Sequence, residues 1–172
     1  MSKRIAVLID HDYVDVEYAQ PVEAFRAAKH SICHIAAESG TVVYGKFRTS
    51  CTTIDQSIDS ISVDDFDALF IPGGDSALKL ADHAMVLKFI QQFDQAKKSI
   101  FSLCDASLLL GEADILKDRI ITSIRSHATC LIQAGGIYYD AELVNDNNQL
   151  ISSRMPADLP VFIHECLHVL RT

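Results

Sequence analysis

The sequence predicts a three-layer α/β/α sandwich built around a mostly parallel central sheet. Three observations carry this reading. Short, continuously apolar runs such as "RIAVLID", "FDALFIPGG" and "SIFSLC" have the length and composition of strands buried on both faces. These runs alternate with longer stretches of helical period, as consecutive βαβ units require. The chain is 172 residues long, 49% hydrophobic and 22% charged, which suits a single domain over residues 1–172 with a real core.

Taken in order, "RIAVLID" is the first strand. "VEYAQPVEAFRAAKH" follows as a helix, with Tyr18, Val22, Phe25 and Ala28 at helical spacing and Pro21 fitting its first turn. "SICHIAAE" is the next strand. "TVVYGKF" and "TSCTTIDQSI" read as short strands or a hairpin, and "FDALFIPGG" as a buried strand ending in a glycine pair. "ALKLADHAMVLKFIQQFDQAKK" predicts one long amphipathic helix, with Leu78, Leu80, Ala81, Met85, Phe89 and Phe93 as its core stripe. "SIFSLC" returns as a strand, and the helix carrying "SLLLG" follows. Next come the strand "RIITS", the helix "HATCLIQAG", the strands "IYYDAELVND" and "QLISS", and a closing helix, "ADLPVFIHECLHVLRT". No repeat, linker or low-complexity tract interrupts the series.

The net charge of −8 argues against a nucleic-acid or anionic-membrane partner, since both call for a basic face. No apolar run approaches the roughly 18 residues of a membrane span. "MSKRIAVLID" enters a strand directly, without a signal-peptide pattern, so a cytoplasmic location is expected. The five cysteines, Cys33, Cys51, Cys104, Cys130 and Cys166, are scattered and contain no C-x-x-C pair. Free thiols are expected, with Cys33, Cys130 and Cys166 read as packing and Cys51 as exposed.

In such sheets sites form at the carboxyl ends of the strands. Three loops qualify: "DHDYVDVE", "PGGDSA" and "CDAS". Cys104 stands where a strand gives way to a helix, and it has two readings, a small buried hydrophobe or a reactive thiol. A helix N-terminus stabilises a thiolate by at most about 2 kcal/mol. Two unit charges about 6 Å apart repel by about 3 kcal/mol at an effective dielectric of about 20, so an unpaired Asp105 beside the sulfur would outweigh the helix. Asp105 is therefore expected to face solvent, to be protonated, or to pair with a cation such as Arg125 or Arg154. As a plain first-turn acid it needs no function, and the same holds for Glu17.

"HECLH", His164 to His168, matches the zinc-protease pattern H-E-x-x-H. At about 100° per residue, Leu159, Phe162, Ile163, Cys166, Leu167 and Leu170 share one helix face. His164, Glu165 and His168 fall on the other, towards water and without a third ligand, so no metal site is expected. "PGGDSA" and "QAGGI" lack the spacing of phosphate loops, and no cofactor is expected.

In order along the chain, "VDVEYAQPVEAFRAA", "TVVYGKF", "DFDALFIPGG", "SIFSLC", "LKDRIITS", "IQAGG" and "ISSRMPADLPVF" resemble the ThiJ/PfpI family. That family lies within the DJ-1 superfamily and has the flavodoxin-like, class I glutamine amidotransferase-like fold. The resemblance implies that Cys104 stands at a nucleophile elbow. It implies that Glu17 is a protonated carboxyl hydrogen-bonded to the sulfur. The backbone N–H groups of Gly74 and Asp105 would form an oxyanion hole.

Departures from the family are equally informative. Asp105 stands where PfpI-type proteases have His, and Leu78 where they take a Glu from a neighbouring subunit. Ile124 stands where DJ-1 has a His, with Arg125 where a Pro is usual. Without an evident base for hydrolysis, His127 and His11 are the remaining candidates.

The resemblance implies thiol chemistry on small reactive carbonyls, of glyoxalase or deglycase type, in a stress-related protein that forms a homo-oligomer, a dimer or larger. The partner expected is a small-molecule electrophile. The non-enzymatic alternative is a redox-sensing or chaperone-like protein, and a third is a divergent intracellular cysteine protease or amidase.

Overall fold

The computed structural model describes residues 1–172. Its main sheet has seven strands: β1 (Arg4–Leu8), β2 (Ser31–Ala36), β5 (Gln56–Ser57), β6 (Ala68–Ile71), β7 (Ser99–Leu103), β10 (Val144–Asp146) and β11 (Leu150–Ser153). They lie in the order β10-β11-β7-β6-β1-β2-β5. Every pairing is parallel except that of β10 with β11, so a mostly parallel sheet is what the chain forms. Two small ladders stand apart: the antiparallel hairpin of β3 (Val42–Tyr44) with β4 (Cys51–Thr53), and the parallel pair of β8 (Ile120–Ile121) with β9 (Ile137–Tyr138).

The helices are α1 (Asp15–Ala27), α2 (Asp75–Leu80), α3 (Ala84–Gln95), α4 (Ala106–Glu112), α5 (Ala128–Gln133) and α6 (Leu159–Leu170). They cover the sheet on two sides, because alternate residues of each strand point to opposite faces. Leu69 and Ile71 enter one apolar cluster with residues of α2, α3, α4 and α5. Ala68 and Phe70 enter a second with residues of α1 and α6. The three-layer sandwich is thus two cores separated by one sheet.

Six expectations need correction. Pro21 lies in the middle of α1, not in its first turn. The long helix over 77–98 is two helices, because His83 is extended (φ −106°, ψ 111°) and α2 closes with tightened bonds from Asp82 N–H to Lys79 O and from His83 N–H to Leu80 O. Buried Val86 and Ile90 take the inward positions, leaving Met85 and Leu78 exposed. "RIITS" contributes only two residues of strand, outside the main sheet, and "IYYDAELVND" splits into β9 and β10. Cys130 is exposed rather than packed, since α5 is a six-residue surface helix that buries only Leu131.

The strand order reverses between β1 and β6, and the crevice at that reversal is where open α/β sheets bind ligands. Glu17 follows β1, Gly74 follows β6 and Cys104 follows β7, which gathers three distant segments at one end of the sheet.

Candidate active site at Cys104

Cys104 is the first of the two turn residues between β7 and α4, and its φ of +53° places it in the left-handed region. A non-glycine residue there carries a strain of about 1–2 kcal/mol, held only if its surroundings enforce it. They do. Its N–H donates to Ser153 O at 3.1 Å, on neighbouring β11. Its carbonyl accepts from Ser107 Oγ at 3.0 Å and from Ser123 Oγ at 2.8 Å. Both hydroxyls are fully buried, so the elbow is clamped from two elements at once.

The Gly73–Gly74 loop faces this elbow. Val14 N–H donates to Gly73 O at 3.0 Å, and Tyr13 bridges both Gly74 and Gly45, which ties the loop to the β3–β4 hairpin. A methyl group at Gly73 would collide with Glu17 Oε1 and lie 2.7 Å from Cys104 Cβ, so only glycine lets the carboxyl and the cysteine approach from either side. Gly74 has a φ of +98°, a conformation glycine adopts without penalty.

Glu17, in the first turn of α1, is fully buried. Its Oε1 accepts from Gly73 N–H at 3.1 Å, while Oε2 has no partner. Burial raises its pKa from 4.5 to about 7 against the pull of the Gly73 amide, and the negative charge of Asp105 adds to the rise. A carboxyl with a free oxygen and a pKa near neutrality can hold or release a proton at physiological pH.

Asp105 pairs with neither of the two arginines named from the sequence, but with a histidine. Its Oδ1 accepts from His127 Nε2 at 2.6 Å, and its Oδ2 accepts from Gly74 N–H at 2.9 Å. Arg154 is held by Asp140 and Asp158, and no hydrogen bond or ion pair joins Arg125 to Asp105. His127, weighed as a base, therefore reaches the site through Asp105. His11 does not: its Nδ1 accepts from Tyr44 N–H at 3.2 Å.

The sulfur also departs from the implied pattern. The cysteine thiol donates to Asp105 Oδ2 at 3.5 Å, and no hydrogen bond joins it to Glu17. Burial, reinforced by the charges of Glu17 and Asp105, pushes the thiol pKa far above its ordinary value. Burial and the neighbouring carboxyl groups thus favour the thiol form, against the pull of the Asp105 amide at the start of α4.

The amide of Gly74, one half of the implied oxyanion hole, already carries the Asp105 carboxylate. Ser107 and Ser123 are site residues that sequence reasoning missed, and Gly73 was named only as part of the "PGGDSA" loop. Only the C-x-x-S spacing of Cys104 and Ser107 offered a local signal for any of them.

His164 and His168 are exposed on α6, as the helical projection predicts, and no three His, Cys, Asp or Glu side chains converge as a metal site. The largest cavity, of about 410 Å³, lies between α2, α4 and α5 and is lined by Leu78, Leu108, Leu131 and Ala134, among others; Cys104 does not line it.

A strand–cysteine–helix elbow packed on a Gly-Gly loop and a buried glutamate is the arrangement the sequence resemblance implied. The model of the DJ-1/PfpI family matches residues 3–169. The chain belongs to that family. Its relatives include the protein/nucleic acid deglycase 2 of Escherichia coli K12, 38% identical over 170 residues and 99% of both chains. The general stress protein 18 of Bacillus subtilis is also 38% identical over 170 residues and 99% of both. YraA of B. subtilis, whose name assigns it provisionally to the cysteine proteases, is 40% identical over 171 residues, 99% of this chain and all of that one. Among solved structures, a two-domain protein from Anabaena variabilis with DJ-1/ThiJ/PfpI-like and ferritin-like domains superposes with a TM-score of 0.95 at 27% identity, covering 98% of this chain and 48% of that one.

Proposed function

We propose that this DJ-1/PfpI protein uses Cys104 for covalent thiol chemistry on small reactive carbonyl compounds, of glyoxalase or deglycase type. The observation that carries the reading is a strained cysteine set between a Gly73-facing carboxyl, Glu17, whose pKa lies near 7 and whose Oε2 is free, and a second carboxylate that accepts the thiol proton's hydrogen bond.

In this scheme the sulfur adds to an aldehyde carbon, and the thiol proton passes by way of a carboxylate to the carbonyl oxygen, giving a hemithioacetal. With an α-oxoaldehyde, Glu17 then moves a proton from the sulfur-bearing carbon to the neighbouring carbon, the hemithioacetal hydroxyl proton passes to the neighbouring ketone oxygen, and a thioester remains. Water hydrolyses the thioester to a 2-hydroxy acid and restores the thiol. One water is consumed, and the aldehyde is oxidised as the adjacent ketone is reduced, so no outside oxidant is needed. The Asp105 N–H remains available to the developing oxyanion, and Gly74 N–H joins it when the Asp105 side chain withdraws.

The name of the E. coli relative supports this class of substrate. Adducts on protein or nucleic acid belong to that relative's name; the net charge of −8 here favours free small carbonyls over nucleic acid. Proteolysis is the weaker alternative: Asp105 replaces the His beside the nucleophile, and Leu78 stands at the position of the neighbouring subunit's Glu. Peroxide sensing is the other alternative; it and carbonyl addition both draw on the thiolate, so oxidation at Cys104 without carbonyl turnover would favour the sensor. The family resemblance further supports a homo-oligomer, a dimer or larger, and the N-terminal sequence, without a signal-peptide pattern, supports a cytoplasmic location. No helix is long and apolar enough to cross a membrane.

The test is consumption of glyoxal and methylglyoxal by wild type and by Cys104→Ala. Loss of turnover in the variant is expected, to about the uncatalysed rate; equal consumption by both proteins ends the proposal.

A further inference from the structure

We infer that the Asp105 carboxylate makes Cys104 selective by charge, admitting uncharged electrophiles and rejecting anionic ones such as 2-oxo carboxylates. The inference rests on the thiol-addition reading and adds a specificity-determining side chain to it. Asp105 Oδ2 lies 3.5 Å from the sulfur and 2.9 Å from Gly74 N, so a carboxylate oxygen already occupies the place where the oxygen of an attacked carbonyl would meet that amide.

The other oxygen, Oδ1, is anchored by His127 Nε2 at 2.6 Å, and both side chains are largely shielded from water, 23% and 20% exposed. No arginine or lysine forms an ion pair with Asp105; its partner is His127, an offset only when that imidazole is protonated, and Arg154 is committed to Asp140 and Asp158. A neutral carbonyl can replace Oδ2 on Gly74 N–H when the side chain rotates away. A substrate carrying its own carboxylate must enter against a like charge within a few ångströms, in a setting of reduced dielectric.

The probes are iodoacetamide and iodoacetate, nearly equal in size and differing by one negative charge. In each reaction Sγ displaces iodide and forms an S–C bond, and the thiol proton is released. Any change in thiol pKa alters both rates together, so the ratio of the two reports charge selection alone. Alkylation at Cys104 is followed by mass spectrometry in the wild type, Asp105→Asn and Asp105→Ser.

The iodoacetate-to-iodoacetamide rate ratio is expected to rise about tenfold or more in either variant, a factor set by removing one near charge. Whichever variant folds carries the test. If iodoacetamide labels Cys104 but the ratio stays at its wild-type value, charge selection by Asp105 is overturned and the thiol reading survives. If neither reagent labels Cys104 in any of the proteins, both readings fall.

Discussion

At Glu17, burial and hydrogen bonding pull in opposite directions, and burial wins. The folded protein holds this proton up to about pH 7, whereas an unfolded glutamic acid releases it near 4.5. Between those values the folded state binds more protons, so stability falls as pH rises through the window. The total loss is about 3 kcal/mol, fully developed above the folded pKa. Glu17→Gln keeps the acceptor for Gly73 N–H and cannot ionise. Urea unfolding at pH 5 and pH 8.5 should show the variant gaining on the wild type by about 2.5 kcal/mol at the higher pH, part of the loss already being present at pH 5. A difference between the two proteins that does not change with pH would refute the assignment. The positions of Cys104 and Glu17 were legible in the chain through resemblance. The raised pKa of the thiol was not, because it depends on burial and on how closely Asp105 and Glu17 crowd the atom.

The β3–β4 hairpin shows the same physics working across an element. Asp15 is buried, yet its carboxylate accepts from Phe47 N–H at 2.8 Å, Thr49 N–H at 3.1 Å, and Ser50 N–H and Oγ both at 3.0 Å. Burial pushes its pKa up, but the amides of Phe47 and Thr49 and the hydroxyl of Ser50 together hold it below the ordinary value. One side chain of α1 thus fixes the loop from 45 to 50, and through Tyr13 the hairpin meets the Gly74 loop. Asp15→Ala leaves three amides without an acceptor and should cost about 3 kcal/mol. Hydrogen exchange should show Phe47, Thr49 and Ser50 losing protection; unchanged protection would remove Asp15 from this role. Elements with a clean apolar period, such as α1, β1 and α6, could be read from sequence. The α2–α3 break could not, because apolar residues keep helical spacing across Asp82 and His83 while the backbone does not.

Across the whole molecule, stability is divided between two cores that share only the sheet. Phe162 on α6 is fully buried, and its ring lies 6.2 Å from that of Phe70 on β6. Phe162→Ala should cost about 3–5 kcal/mol, read from the urea midpoint at unchanged m-value. A loss below about 1 kcal/mol would mean that α6 is not part of the cooperative unit. The alternation of strands and helices predicted the layers, but strand order is set by contacts between residues far apart in sequence. Only likeness to a known family anticipated the fold that the order β10-β11-β7-β6-β1-β2-β5 belongs to. The left-handed backbone of Cys104 bears on the history of this sequence as well as its chemistry. Glycine would sit there at ease, so any lineage released from selection for the sulfur would find a downhill route to discarding it. A cysteine at such a corner is a residue that backbone strain alone would not choose.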